Sequence, residues 1–122
     1  MSAEKYVNEN RHSLLSIYSQ IMSAEELFAD VFDKKIDEKA KKEVCKKTIV
    51  VHKYLDGNVD FPINLAFLKI KDNQIVDELY SIVLCEEFVK AGKLARHGDI
   101  YEPIIECDFK VIPKFKKYVK DR

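Results

Sequence analysis

The side chains of this sequence best suited to acid–base chemistry are those of a histidine and a tyrosine two positions apart, His52 and Tyr54. They end a run that begins at Thr48 and is rich in β-branched residues, which predicts a strand covered on both faces. Alternate residues of a strand share a face, so the imidazole and the phenol could act as an acid–base pair. The alternative interpretation is a half-buried histidine that is hydrogen-bonded to its neighbour.

Four acidic residues nearby could hold a divalent metal, namely Asp56, Asp60, Asp77 and Glu78. Mg²⁺ needs hard oxygen ligands that converge on one point. Asp56 and Asp60 fall in a predicted loop, whereas Asp77 and Glu78 would point to opposite faces of a predicted strand. We therefore expect no metal and no other cofactor, and a relocated metal site is kept as an alternative.

The three cysteines, Cys45, Cys85 and Cys107, are odd in number and widely spaced. A structural zinc site needs about four ligands in close pairs, which this spacing does not supply. Buried and reduced thiols in a cytoplasmic protein are the expected state. The sequence has no apolar run of roughly 20 residues that could span a bilayer, so no membrane contact is expected.

Charge excludes a dedicated nucleic-acid coat protein, because 21 Lys and Arg residues are balanced by 21 Asp and Glu residues. The segment from Phe109 to Lys120 is locally basic, and its apolar spacing predicts an amphipathic helix. Lys114, Lys117 and Lys120 lie off its apolar face and could contact nucleic acid. The plainer interpretation of these three lysines is a solvated face.

The elements that would position these residues begin with helices. Apolar residues from Leu14 to Phe32 recur at i, i+3, i+4 and i+7, which predicts helix over residues 4–33. Ser23 and Glu26 match a capping box, so we expect a break near Met22. A strongly charged helix with a narrow apolar seam is predicted over residues 34–47.

Three consecutive strands are predicted next, at Thr48–Tyr54, 63–70 and 75–83. Asp72 and Asn73 suit a tight turn between the second and third strands. Beyond the strands, Gly98 and Pro103 predict a loop. The expected architecture is therefore a small meander flanked by helices.

From Thr48 onward, the order of these parts resembles the first half of a DEDDh exonuclease domain of the DnaQ-like or RNase T-like family. Three segments carry the resemblance: A-F-L-K-I-K-D-N-Q-I-V-D-E-L-Y-S-I-V at 66–83, R-H-G at 96–98 and C-D-F-K-V-I-P-K-F-K-K-Y-V at 107–119. The resemblance implies an RNase H-like sheet and an ancestry among proteins that bind single-stranded 3′ ends.

The catalytic chemistry of that family does not carry over to this chain. The family's first strand ends in D-x-E, two carboxylates that hold two metal ions, and His52 and Tyr54 stand in those positions. Neither side chain supplies the oxygen ligands that Mg²⁺ requires. The resemblance thus implies a vestigial active site and no 3′–5′ exonuclease activity.

Together these patterns predict a single α+β domain over residues 1–122. A helical part, 1–47, would pack on a three-stranded, mainly antiparallel meander that resembles the first half of an RNase H-like exonuclease fold, with an amphipathic helix at the C-terminus.

The predicted function is a non-catalytic binding or regulatory protein that acts through protein–protein contact. The alternatives are a nucleic-acid-binding module that uses the last helix and a nuclease with a relocated metal site. A fourth strand is missing, so the Thr48–Tyr54 edge would be unpaired. We expect the N-terminal helices to cover that edge and a protein partner or a second copy, as a homodimer, to pair with it.

Overall fold

The computed structural model describes residues 2–56, 73–104 and 118–119. This described part contains four helices and one two-stranded antiparallel sheet, which confirms the α+β class. The elements are α1 (Ala3–Glu9), α2 (Arg11–Val31), α3 (Glu38–Asp56), α4 (Asn73–Lys90), β1 (Leu94–His97) and β2 (Ile100–Pro103). The chain forms two compact units, Met1–Tyr80 and Ser81–Arg122, and the division falls inside α4. That the two units make one domain stays a prediction.

The N-terminal helical stretch is interrupted at Asn10, whereas α2 continues without a break through Met22. Asn10 leaves the helical conformation, with φ −112° and ψ 16°, and its Nδ2 donates to the Tyr6 carbonyl at 2.9 Å. The predicted capping box is wrong, because the Ser23 hydroxyl donates to the Ser19 carbonyl at 2.8 Å inside the helix. Residues 11–31 are therefore one long helix.

The run predicted as the first strand, Thr48–Tyr54, belongs to α3, so that strand assignment is wrong. The helix begins after Asp37, whose Oδ1 accepts the N–H of Ala40 at 2.9 Å as an N-cap. The buried Thr48 hydroxyl donates to the Val44 carbonyl at 2.7 Å, which satisfies it within the helix. Since 48–54 is helical, it offers no strand edge for a partner or a second copy to extend.

Buried positions on α3 follow the spacing of a helix face, i, i+1, i+4, i+5, i+7 and i+8. These residues are Val44, Cys45, Thr48, Ile49, Val51 and His52. The face packs on α2, and the two helices form an antiparallel hairpin that is bridged by Lys47 Nζ and Glu25 Oε1 at 2.5 Å.

The segment predicted as the third strand, 75–83, lies in α4, so that assignment is also wrong. The side chains of α4 are buried on nearly every side of the helix, which is typical of helices that are enclosed by the rest of the protein. The buried residues are Ile75, Val76, Leu79, Tyr80, Ser81, Ile82, Val83 and Cys85. The predicted second strand, 63–70, lies outside the described residues. The three-stranded meander and its RNase H-like character are consequently not confirmed.

Two helices end with the same pair of backbone hydrogen bonds, a Schellman motif. At the end of α2, Lys34 N–H donates to the Ala29 carbonyl at 2.8 Å, and Asp33 N–H donates to the Asp30 carbonyl at 3.3 Å. The residue at the left-handed position of this motif is Asp33, with φ 51°. At the end of α4 the corresponding residue is Gly92, with φ 76°.

We expect Asp33→Gly to raise the free energy of unfolding by about 0.5–1 kcal/mol, because glycine enters the left-handed region without the steric cost of a Cβ. Gly92→Ala should lower it by about 1 kcal/mol, since an added Cβ meets no atom within 4 Å and only the backbone is strained. Urea unfolding followed by circular dichroism measures both. Equal effects of the same sign would contradict this account of the two helix ends.

A two-residue hairpin occupies the predicted loop at Gly98 and Pro103. His97 pairs with Ile100 across the turn, and Gly98 has φ 63°, as expected for glycine in the first turn position. Tyr101 N–H donates to the Tyr118 carbonyl at 2.7 Å on the outer side of β2.

The predicted C-terminal helix is not observed at Tyr118 and Val119. Val119 forms a parallel bridge with Tyr101. The remainder of that predicted helix lies outside the described residues.

Candidate functional site

His52 and Tyr54, the predicted vestigial site, do not share a face. Positions two apart on a helix are separated by roughly 200°, and His52 is buried on α3 while Tyr54 is half-buried. The acid–base pair that depended on a strand is therefore wrong. The alternative, that His52 is a hydrogen-bonded histidine within the fold, is correct, although the tyrosine that bonds to it is not Tyr54.

The bonded tyrosine is Tyr6 of α1, whose hydroxyl oxygen lies 2.6 Å from Nδ1 of His52. The two rings meet edge to face, with centroids 5.6 Å apart and planes at 85°. Lys53 Nζ lies 5.9 Å from the centroid of the Tyr6 ring. This arrangement joins α1 to α3 and has the character of a structural contact, because the imidazole is enclosed rather than presented to a substrate.

We expect Tyr6→Phe to lower the free energy of unfolding by about 1 kcal/mol, since it removes a hydrogen bond to a buried imidazole while keeping the ring. Urea unfolding at neutral pH measures the change. Tyr54→Phe is the matched control and should stay within about 0.5 kcal/mol. A larger loss from Tyr54→Phe than from Tyr6→Phe would contradict the assignment.

The acidic residues proposed for a relocated metal site are not brought together. Asp77 and Glu78 are neighbours on α4, roughly 100° apart around the helix, which replaces the opposite strand faces predicted for them. Asp60 and the side chain of Asp56 are outside the described residues. Over residues 2–56, 73–104 and 118–119, no group of three His, Cys, Asp or Glu side chains is placed to hold a metal ion.

The other predicted features are placed as follows. Cys45 and Cys85 are fully buried thiols, as predicted, and Cys107 is not among the described residues. Lys114, Lys117 and Lys120 are likewise not described, so nucleic-acid contact by them stays a prediction. Among the helices in the described ranges, none is long and apolar enough to cross a membrane.

A second polar cluster lies in the unit Ser81–Arg122, where one carboxylate serves two donors. Glu86 Oε1 accepts the Tyr101 hydroxyl at 2.8 Å, and Glu86 Oε2 accepts Nη2 of Arg96. The hydrogen bond and charge of Glu86 raise the pKa of Arg96 above its ordinary value. The carboxylate is thus neutralised by a guanidinium, which suits a contact that attaches the hairpin to α4.

The most unusual surface of the described chain is the C-terminal end of α2. Four large apolar side chains stand in solvent there: Leu27 is 67% exposed, Phe28 56%, Val31 71% and Phe32 57%. The rings of Phe28 and Phe32 touch, with centroids 4.5 Å apart. We call these four residues the α2 patch. Single exposed apolar residues are ordinary, but a contiguous group marks an interaction surface.

The α2 patch is distinct from the face that α2 buries. The buried residues of this helix are Leu14, Tyr18, Met22 and Ala29, and the patch lies roughly a third of a turn away from them around the helix. The exposed Asp30 borders the patch on its far side, and the exposed Glu26 lies further around the helix. The spacing of apolar residues alone predicts one wide stripe on α2 and does not distinguish the exposed face from the buried one.

Compared with protein-family models, curated proteins and solved structures, this chain matches none of them. The resemblance to DEDDh exonucleases therefore stays a prediction. The α2 patch is the candidate functional site on the strength of its own geometry.

Proposed function

We propose that this protein is a non-catalytic binding protein that acts by holding another protein chain on the α2 patch. The observation that carries the proposal is the exposure of four neighbouring apolar side chains, two of them aromatic. Aromatic side chains, phenylalanine among them, are enriched in protein–protein interfaces relative to the rest of the surface. Covering them would remove apolar area from water at roughly 25 cal/mol per Å².

The shape of the patch favours a protein partner over a small ligand. Small-molecule sites are concave and enclose the ligand, whereas the α2 patch is the convex side of one helix. A helix that presents apolar side chains at i, i+1, i+4 and i+5 suits packing against another helix or into a groove. The partner surface is therefore expected to be apolar.

The charges around the patch disfavour nucleic acid and membrane. Asp30 and Asp33 are exposed beside it and would repel phosphate groups, whether of a nucleic acid or of an anionic lipid surface. Lys34 and Lys35 follow only after the end of the helix. A partner protein whose apolar surface is bordered by basic residues would complement both the apolar side chains of the α2 patch and the acidic residues beside it.

Site-specific photo-crosslinking tests this function in cells that express the protein. p-Benzoylphenylalanine at position 28 keeps the aromatic character of the patch, and the same group at Ser19 is the control, because Ser19 is exposed on another side of α2. We expect a discrete protein–protein adduct from position 28 that is absent from position 19. Equal labelling at both positions, or no adduct at position 28, would refute the proposal.

A further inference from the structure

We infer that one side of α3 is a second interaction surface, which binds the sugar–phosphate backbone of a nucleic acid. This inference goes beyond the proposed function, because it concerns another helix and another class of partner. The surface is formed by four lysines that we call the α3 lysine row: Lys39, Lys42, Lys46 and Lys53. Their alignment, their charge and their contacts each support this assignment.

The α3 lysine row exists because residues 38–56 form one helix. At roughly 100° per residue, the four lysines fall within an arc of about 60°. That arc lies away from the buried side of α3, roughly opposite Thr48. A strand over 48–54 would have removed Lys53 from the alignment. From Lys39 to Lys53 the row is about 21 Å long, since a helix rises about 1.5 Å per residue.

The charge within the row has a single sign. Two glutamates of α3 flank it on either side, Glu38 at its start and Glu43 near its middle. Glu43 pairs with Lys46 at 3.0 Å, with both side chains about half exposed. An exposed pair of this kind contributes little to stability, so the lysine can exchange the glutamate for another anion. An ordinary solvated helix alternates both signs along a face, which this row does not.

The other three lysines keep their positive charge uncompensated in the described part of the chain. Lys42 Nζ lies 5.4 Å from the centroid of the Tyr80 ring, and Lys53 Nζ lies 5.9 Å from that of Tyr6. An aromatic ring attracts an ammonium group without neutralising it. Lys39 is exposed and forms no ion pair with any described residue. These ammonium groups are therefore able to donate hydrogen bonds to an incoming anion.

A straight row of cations suits a linear polyanion better than a membrane surface. Helices that lie on membranes place large apolar side chains beside their cations, whereas the apolar residue within this arc is the half-buried Val50. Each nucleic-acid strand carries one negative charge about every 3.4 Å of helix axis, so the row spans about six of them. An acidic protein would need a matching line of carboxylates. We therefore expect binding that is independent of base sequence and sensitive to salt.

Fluorescence anisotropy with a labelled duplex of about 20 base pairs and mixed sequence is the first test. Four phosphate contacts predict that the logarithm of the association constant falls with the logarithm of salt concentration with a slope of about −3 to −4. Lys39→Gln/Lys46→Gln/Lys53→Gln should weaken binding at about 50 mM salt at least tenfold and reduce the slope by about 2–3. Glutamine is a good helix former, and circular dichroism with urea unfolding verifies that the variant stays folded.

A matched control removes three exposed lysines from other surfaces: Lys5→Gln/Lys90→Gln/Lys93→Gln. We expect its affinity to stay within about twofold of the unchanged chain. An equal loss in the control and the row variant would show that only net charge matters and would overturn the inference.

A second comparison variant removes the lysines of the last predicted helix: Lys114→Gln/Lys117→Gln/Lys120→Gln. If binding is lost there and unchanged in the row variant, the nucleic-acid site is not on α3 and the inference is overturned.

Vesicles of phosphatidylserine with phosphatidylcholine, and poly-L-glutamate, test the other classes of anionic partner. Binding to either of them without binding to the duplex would overturn the inference, as would a chain that does not bind the duplex at about 25 mM salt. Photo-crosslinking at position 28 probes a different helix, so it can still succeed when duplex binding fails. The failure of this inference is thereby distinguished from the failure of the proposed function.

Discussion

Replacement of Val50 by proline is expected to lower the free energy of unfolding by about 3 kcal/mol or more. Val50 lies well inside α3, so the proline ring would clash with the carbonyl of Lys46 and remove an intrahelical hydrogen bond. Its neighbours Ile49 and Val51 are buried, and bending the helix there would displace both from the core. Loss of this size is a large part of the stability of a small domain.

Far-UV circular dichroism and urea unfolding measure the effect of Val50→Pro. The control is Glu38→Pro at the first residue of α3, where the fixed φ of proline suits the start of a helix. We expect the control to retain its helical signal and the Val50 variant to lose it. A Val50→Pro protein with unchanged helicity would show that residues 48–54 are not helical in solution.

Residues 48–54 are wrongly predicted as a strand because their high intrinsic strand propensity conflicts with the helical spacing of their buried positions. Thr48, Ile49, Val50 and Val51 are β-branched, and such residues lose side-chain freedom in a helix. Their burial spacing together with Val44 is nevertheless helical, and packing on α2 outweighs a propensity difference of a few tenths of a kcal/mol per residue. That residues 11–31 are helical was predictable from the spacing of their apolar residues, although the break expected near Met22 is wrong and the interruption lies at Asn10.

The strand prediction for residues 75–83, which lie in α4, is wrong for a different reason. Seven of the nine positions of α4 from Ile75 to Val83 are buried, so the contrast between apolar and polar faces is weak. A short apolar run of this kind cannot be assigned to helix or strand by period alone. Further along, Gly98 and Asp99 form the two-residue turn between β1 and β2, and a Gly-Asp pair is a hairpin signal that the sequence contained.

The candidate site was only partly predictable. A buried, hydrogen-bonded His52 follows from its apolar surroundings, but Tyr6 is 46 residues away and only the packing of α1 on α3 brings it close. For the α2 patch, by contrast, the sequence predicts burial where the structure shows exposure. Phe28 and Val31 fit a core stripe by spacing, and only the position of α3 shows that α2 buries Ala29 instead and leaves them in solvent.

Replacement of Tyr101 by alanine is expected to lower the stability of the hairpin region by about 3–5 kcal/mol. Tyr101 has no solvent exposure, and its removal would leave a cavity against α4. Amide hydrogen exchange of β1 and β2 reports on this region directly. Residue-resolved exchange is needed because the unit Met1–Tyr80 could unfold separately and obscure a single global transition.

A double-mutant cycle divides that loss between packing and hydrogen bonding. Tyr101→Phe keeps the ring and removes the hydroxyl that Glu86 accepts, so we expect a cost of about 1–2 kcal/mol. Glu86→Ala should cost much less in the Tyr101→Phe background than in the unchanged protein, because the two share one bond. Arg96→Ala should cost under about 1 kcal/mol, since its side chain is half exposed. If Arg96→Ala proved as damaging as Glu86→Ala, the ion pair rather than the buried phenol would be what attaches the hairpin to α4.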